Sequence, residues 1–135
     1  MRGLVRGESL GRFDAIRTGG ERRSLRGILV MSRLKVGREV PPLRTARLVR
    51  ELERSWREAC ERERFRLVHY SIQNDHVHMI VEASSARDLA CGLKEVAARF
   101  ARGVNRVFRR AGRVLADRCY VHVLRTPREV RNAIA

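Results

Sequence analysis

Two histidines separated by one residue, His76 and His78, are the side chains of this sequence best suited to chemistry. Around them Val77, Met79 and Val81 alternate with polar residues, as they do in half-buried β-strands. Because strand side chains repeat every two residues, both imidazoles point to one face and could hold one metal ion. Two ligands leave a metal site incomplete, so spacing alone favours an ordinary polar surface.

The histidines enter the second strand of a predicted hairpin over residues 65–82. Asn74-Asp75 separates the two strands, and both side chains favour turns. In the first strand, Val68 and Tyr70 belong to one alternating apolar set, which we expect to face the core. Asp75 and Glu82 are candidates for a third metal ligand only because they are close in sequence.

The other periodicities predict the element order βαββαβ, followed by the start of a third helix. Strands are expected from residue 25 and over 114–124, and helices over about 43–62 and 85–110. This order suits an α+β ferredoxin-like sandwich, a four-stranded antiparallel sheet with two helices on one face. The histidines would then lie on the open face, with the first and third strands in the centre of the sheet.

The two ends of the chain differ from this domain. Residues 1–24 contain five glycines among scattered arginines, so we expect a poorly ordered basic arm before one domain over 25–135. Thr126, Pro127 and Glu129 form a strong helix opening, with a cap, a first-turn proline and a capping box. The apolar stripe that follows stops at Ala135, which we interpret as an incomplete helix.

The net charge is +15, from 30 Lys and Arg against 15 Asp and Glu, and only two of these basic residues are lysines. Arginine binds phosphate through two parallel hydrogen bonds, so we expect a nucleic-acid partner. The candidate DNA-binding residues are Arg99, Arg102, Arg106, Arg113 and Arg118. Arginines near a helix C-terminus also complement its dipole, so part of this pattern has a structural explanation.

Membrane and secretory segments are not indicated by the sequence. No apolar run approaches the length of a membrane span, and the first residues lack a secretory signal, so the cytoplasm is the expected location. Cys60, Cys91 and Cys119 form no C-x-x-C pair, and we expect all three to be buried as small apolar residues.

Several segments, taken in order, resemble the single-tyrosine HUH transposases, and especially the REP-associated tyrosine transposase group. They are Gln-Asn-Asp-His-Val-His-Met-Ile-Val-Glu at 73–82, Ala-Arg-Gly-Val-Asn-Arg at 101–106, and the segments 112–118 and 124–133. The resemblance implies a transposase acting on single-stranded or hairpin DNA, a metal-dependent tyrosine nuclease and strand transferase in DNA transposition. It implies that His76 and His78 bind Mg²⁺ or Mn²⁺, of which Mn²⁺ suits imidazole better. It also allows a homodimer.

The nucleophilic tyrosine is where the sequence departs from this family. The family carries it on the helix that Thr126 opens, but residues 126–135 contain no tyrosine. We therefore expect the nucleophile just past Ala135, and a truncated chain that is inactive alone. Tyr70 is assigned to the core, and Tyr120, on the same strand face as His122, is the only substitute, away from the family's position.

Two alternatives remain at this point. A catalytically dead remnant of such a transposase would bind nucleic acid through its basic surface alone. An RNA-binding sheet of RRM type shares the βαββαβ order but needs exposed aromatic residues on its central strands. The third strand offers His76, His78 and Ile80 outward, and the first strand has no aromatic residue, which counts against this alternative.

Overall fold

The computed structural model describes residues 27–59, 62–117 and 119–134. The elements are β1 (Ile28–Lys35), α1 (Ala46–Ala59), β2 (Phe65–Ile72), β3 (His76–Ala83), α2 (Ala86–Phe108), β4 (Tyr120–Val123) and α3 (Pro127–Ile134). The predicted basic arm over 1–24 lies outside the described residues, as do Cys60 and Arg118. Over these ranges, no helix has both the length and the apolar character needed to cross a membrane.

The four strands form one sheet in the order β2-β3-β1-β4, and every neighbouring pair is antiparallel. β1 and β3 are therefore the central strands, as the sequence predicted. The helices α1 and α2 contact each other, and residues of both join one core cluster with the strands. The predicted α+β ferredoxin-like arrangement is confirmed.

The core lies between one face of the sheet and the two long helices. Trp56 on α1 and Phe100 on α2 are completely buried there. The indole Nε1 of Trp56 donates to the carbonyl of Val96 at 3.3 Å, and its ring meets Tyr70 edge-on at 5.4 Å between centroids. The buried Tyr70 hydroxyl donates to Glu53 Oε2 at 2.6 Å. Tyr70 is thus a core residue, as expected from its alternation.

Val68 is where β2 departs from strict alternation. Leu67 pairs with Val81, but His69 pairs with Ile80, so a β-bulge leaves Val68 without an opposite residue. Leu67 is completely buried and Val68 only half-buried, contrary to the prediction. An inserted residue exchanges the two faces of a strand, and alternation alone does not reveal where it occurs.

The first helix begins at Ala46, later than predicted. Thr45 Oγ1 accepts the N–H of Leu48 at 3.2 Å, so Thr45 caps the helix. The preceding N–H of Leu43 donates to the carbonyl of Asn74 at 2.9 Å. The segment that holds the two prolines is therefore docked on the β2–β3 turn and does not form the first helical turn.

The last strand, Tyr120–Val123, is shorter than predicted. The segment before it runs beside the end of β1, where Gly37 N–H donates to the Val114 carbonyl at 3.0 Å. Ala116 N–H donates to the Lys35 carbonyl at 2.8 Å. Both segments run beside β1 or the residues that follow it, which explains why their sequence pattern resembles one continuous strand.

The second helix has the predicted start and an earlier end. Ser85 Oγ accepts the N–H of Asp88 at 3.1 Å, as the capping pattern predicted. The helix ends at Phe108 because Arg109 adopts a left-handed conformation with φ of 52°. The end therefore lies just before the break expected at Gly112.

The cysteine prediction was wrong for the part of the chain that the structure describes. Cys91 is exposed on α2, and Cys119 is half-buried, with its Sγ 2.9 Å from Ser32 Oγ. Cysteine is commonly buried, but the helix face on which a residue lies decides its exposure.

Candidate nucleic-acid interface and histidine pair

His76 and His78 lie on the face of the sheet opposite α1 and α2. Val77 and Met79, which alternate with them on β3, are completely buried in the core. Both imidazoles are half-buried, and 31% of the His76 side chain is exposed. The structure therefore brings the predicted pair together on one accessible face.

A short chain of polar contacts holds the ring of His76. Its Nδ1 lies 2.9 Å from Asp75 Oδ1, and Lys35 Nζ lies 3.3 Å from Asp75 Oδ2. The hydrogen bond from His76, and next that from Lys35, hold the pKa of Asp75 below its usual value. A carboxylate that accepts from Nδ1 leaves Nε2 free as an acceptor, the arrangement that orients metal-binding imidazoles.

The turn that carries Asp75 is fixed by backbone hydrogen bonds. Val36 N–H donates to the Asp75 carbonyl at 3.0 Å, and Leu43 N–H donates to the Asn74 carbonyl at 2.9 Å. These bonds connect the turn to the end of β1 and to the segment before α1. These bonds hold the backbone of Asp75 in place and so help to position its carboxylate next to His76.

The environment of His78 favours a neutral imidazole. Desolvation lowers its pKa, and the charges of His76, His69 and Arg33 lower it further. Only a neutral imidazole has a nitrogen lone pair available for a metal. The position of His78 thus suits a ligand at neutral pH.

Strand register places four open-face side chains in one row across the sheet. His78 pairs with Ser71 on β2 and with Arg33 on β1, and Arg33 pairs with Tyr120 on β4. The Arg33 Cζ lies 5.2 Å from the centroid of the Tyr120 ring, a cation–π contact. Tyr120 is 46% exposed.

The short helix α3 lies beside this same face and forms a cleft of about 290 Å³ with it. The cleft is lined from the sheet by Met31, His78, His122 and Leu124, and from the helix by Glu129, Asn132 and Ala133. The sequence predicted the helix, but no pattern in it indicated where the helix would dock. Glu129 and Asn132 were therefore not among the predicted site residues.

Glu129 has a structural role within this cleft. Its Oε1 accepts the N–H of Thr126 at 3.2 Å, and Thr126 Oγ1 accepts the N–H of Glu129 at 3.1 Å, the predicted capping box. The N–H of Arg125 most strongly, then the N–H of Thr126 and the charge of His122, lower the pKa of Glu129. A charged carboxylate at this end also complements the helix dipole.

A complete protein-only metal site is absent from the described residues, where no three His, Cys, Asp or Glu side chains converge. Asp75 and Glu82, considered earlier as third ligands, do not join such a group. His76 and His78 supply two imidazole nitrogens on an accessible face, and water or phosphate oxygens could fill the remaining positions of a divalent ion.

Two of the predicted DNA-binding arginines lie in the helical layer, away from the histidines. Arg99 Nε donates to Glu95 Oε2 at 2.8 Å, and its Nη1 donates to Ser55 Oγ at 3.0 Å. Arg106 Nη2 donates to Glu51 Oε2 at 2.6 Å, which connects α2 to α1. These guanidinium groups have clear structural partners.

Two of the other predicted arginines can be placed in the structure. Arg102 is exposed on α2, Arg113 donates to backbone carbonyls of its own loop, and Arg118 lies outside the described residues. A role of these residues in DNA binding stays a prediction. The basic side chains beside the histidines are instead Arg33 and Lys35, which sequence patterns did not distinguish from ordinary exposed strand residues.

Comparisons with known proteins agree with the resemblance found in the sequence. No curated protein matches this chain. A solved structure of the REP-associated tyrosine transposase bound to a REP hairpin is similar over 87% of this chain and 68% of that chain, with a TM-score of 0.58 and 15% identity. At this identity the likeness shows a shared fold. The family model described as "Transposase IS200 like" matches residues 38–127. The chain therefore belongs to the IS200-like transposase family.

Proposed function

We propose that this chain binds single-stranded or hairpin DNA on the open face of its sheet and positions a phosphate at the histidine pair. The observation that carries the proposal is the accessible pair His76 and His78, with Arg33 and Lys35 on the adjacent central strand. The similar solved transposase is bound to a hairpin, which supports DNA as the ligand. The net charge of +15 favours a polyanion.

We propose further that His76 and His78 hold a divalent ion, Mn²⁺ or Mg²⁺. The donor set fits this ion because Asp75 orients one ring and the surroundings of His78 keep the other neutral. When bound, such an ion would polarise a phosphate and offset the charge that develops during its cleavage. The guanidinium of Arg33, beside His78, would bind a phosphate oxygen of the same strand.

Nicking in this proposal requires a tyrosine hydroxyl. As its oxygen bonds to phosphorus, the bond to the 3′ oxygen breaks, giving a 5′-phosphotyrosine and a free 3′-hydroxyl. The Tyr70 hydroxyl donates to the half-buried Glu53 on α1, on the helical side of the sheet. Tyr120 lies two strands from His78, roughly 10 Å at the usual strand spacing, and α3 contains no tyrosine. Because neither Tyr70 nor Tyr120 adjoins the histidine pair, a nucleic-acid-binding remnant without nicking activity is the second candidate function.

Binding of a fluorescent hairpin with a single-stranded flank, with and without Mn²⁺, tests the DNA and metal roles. We expect Mn²⁺ to tighten binding by the unaltered chain and to have no effect on the double variant His76→Ala/His78→Ala. The matched control is His122→Ala, which keeps the response because the histidine pair is intact. No hairpin binding at low salt would refute the DNA proposal, and an equal Mn²⁺ response in the double variant would refute the metal proposal.

Denaturing gels of the same mixtures separate the two candidate functions. An Mn²⁺-dependent covalent adduct would support nicking, and its loss in Tyr120→Phe would identify Tyr120 as the nucleophile. Mn²⁺-dependent binding without an adduct would support the non-cleaving remnant.

A further inference from the structure

We infer that Tyr120 and Arg33 form a subsite for one unpaired nucleotide, with the base stacked on Tyr120 and its phosphate bound by Arg33. This inference rests on the proposed function, because the ligand is the single-stranded part of the same DNA. It adds a position at which the protein contacts a base, whereas the histidine pair contacts the phosphate backbone.

The geometry of the central row carries the inference. Arg33 lies between His78 on β3 and Tyr120 on β4, and all three side chains share the open face. Neighbouring strands are about 4.8 Å apart, so Tyr120 is roughly 10 Å from the histidine pair. One DNA strand held at the histidines could therefore reach the tyrosine ring.

The ring of Tyr120 contacts a neighbouring side chain and is still accessible to a ligand. The Arg33 guanidinium covers part of it at 5.2 Å from the centroid, which restricts its orientation. The residue is nevertheless 46% exposed, so ring area remains for a base. A rigid aromatic beside a cation is the combination that single-strand-binding proteins use, because every base has a π-face and every nucleotide has a phosphate.

The charge of the surroundings selects a nucleic acid over a protein partner. Arg33 and Lys35 lie on the central strand, and the histidine pair lies on the next strand. An apolar protein partner would leave these cations desolvated and unpaired, at a free-energy cost, whereas a phosphate chain would neutralise them. A single strand suits this open face, since its bases are free to stack.

Affinity measurements with a hairpin that carries a single-stranded flank test the subsite. We expect Tyr120→Ala to weaken binding of the flanked hairpin by about 5- to 150-fold, the range of base–aromatic stacking. Tyr120→Phe keeps the ring and should bind nearly as the unaltered chain does. Val121→Ala is the matched control, since Val121 is 42% exposed on the same strand but points to the opposite face.

Single abasic sites moved along the flank give a second test that needs no variant. For the unaltered chain, an abasic site at one position of the flank should lower the affinity for the hairpin. The same abasic site should cause no further loss of affinity in Tyr120→Ala, because the stacking contact is already absent. Comparable losses at every position would overturn the subsite, even if the alanine variant did not fold.

The outcomes also separate this inference from the proposed function. Unchanged affinity in Tyr120→Ala, with a normal Mn²⁺ response, would overturn the subsite and leave the proposed function intact. Equal weakening for hairpins with and without the flank would also overturn it, because the contact would not be to an unpaired nucleotide. Failure of the unaltered chain to bind any hairpin would instead refute the proposed function.

Discussion

Replacing Asp75 by alanine tests whether the Asp75 carboxylate orients the His76 imidazole for metal binding. The carboxylate accepts from His76 Nδ1 at 2.9 Å and contacts Lys35 Nζ at 3.3 Å. In Asp75→Ala the imidazole loses the partner that fixes its tautomer and orientation. We therefore expect weaker metal binding, although both histidines are retained.

The expected magnitude follows from the exposure of this contact. Removal of a group that orients a metal-binding histidine typically lowers metal affinity 10- to 100-fold. The Asp75 side chain is 64% exposed, so water can replace part of the lost interaction, and the low end of that range applies. We expect a loss of about tenfold, equivalent to about 1.4 kcal/mol.

The assay is Mn²⁺ binding, followed by the electron paramagnetic resonance signal of free Mn²⁺ at pH 8, where ordinary imidazoles are neutral. Asp75→Asn is the informative companion, because its amide oxygen can still accept from His76 Nδ1. The conservative variant should bind Mn²⁺ nearly as well as the unaltered chain.

Two results would contradict this reasoning about Asp75. Equal Mn²⁺ affinity in Asp75→Ala and the unaltered chain would show that the contact with His76 has no orienting effect. Equal, large losses in Asp75→Ala and Asp75→Asn would indicate that the carboxylate itself binds the ion. In both cases His76→Ala serves as the reference for complete loss of one ligand.

Two further predictions concern stability. Hydrogen bonds from Arg54 and then Arg106 lower the pKa of Glu51, so its ionised form stabilises the fold. Glu51→Gln should therefore lower the free energy of unfolding by about 1 kcal/mol at pH 7. This difference between the variant and the unaltered chain should disappear as the pH falls from the ordinary glutamate pKa through the lower folded value. A Cβ at Gly92 would overlap the ring of Phe65, so Gly92→Ala should lower the free energy of unfolding in urea by about 1–3 kcal/mol.

Matched controls exist on the same helices. Glu58 is 60% exposed and contacts the end of Arg54 at 3.4 Å, a longer distance than either contact of Glu51, so Glu58→Gln should change stability less than Glu51→Gln at pH 7. Cys91 is exposed next to Gly92, so Cys91→Ala should leave the urea midpoint unchanged. A pH-independent effect of Glu51→Gln, or a neutral Gly92→Ala, would contradict the packing of α1, α2 and β2 described above.

The sequence was most informative where a physical period is uninterrupted. Alternation along β3 assigned Val77 and Met79 to the core and the two histidines to the other face, and the structure agrees. The capping patterns at Ser85 and Thr126 were also correct, because a cap depends only on residues within one turn of the helix. Strand alternation and helix capping can therefore be predicted from a short stretch of sequence.

The sequence was less informative where one inserted residue changes the face of a strand, or where a contact with a distant segment decides the partner of a side chain. The bulge at Val68 exchanges the faces of β2 without altering its composition. The arginines of α2 formed the most evident basic pattern, yet Arg99 and Arg106 contact groups on the neighbouring helix. A charge pattern along one helix does not identify the element that faces it.

By itself, the sequence determined the element order, the family, and the shared face of His76 and His78, since each follows from local periodicity or from motifs that occur in order along the chain. Only the tertiary structure placed Arg33 between His78 and Tyr120, and α3 beside that face. These contacts join residues far apart along the chain through strand register and helix docking. Both depend on the packing of the whole domain, so no single segment of the sequence encodes them.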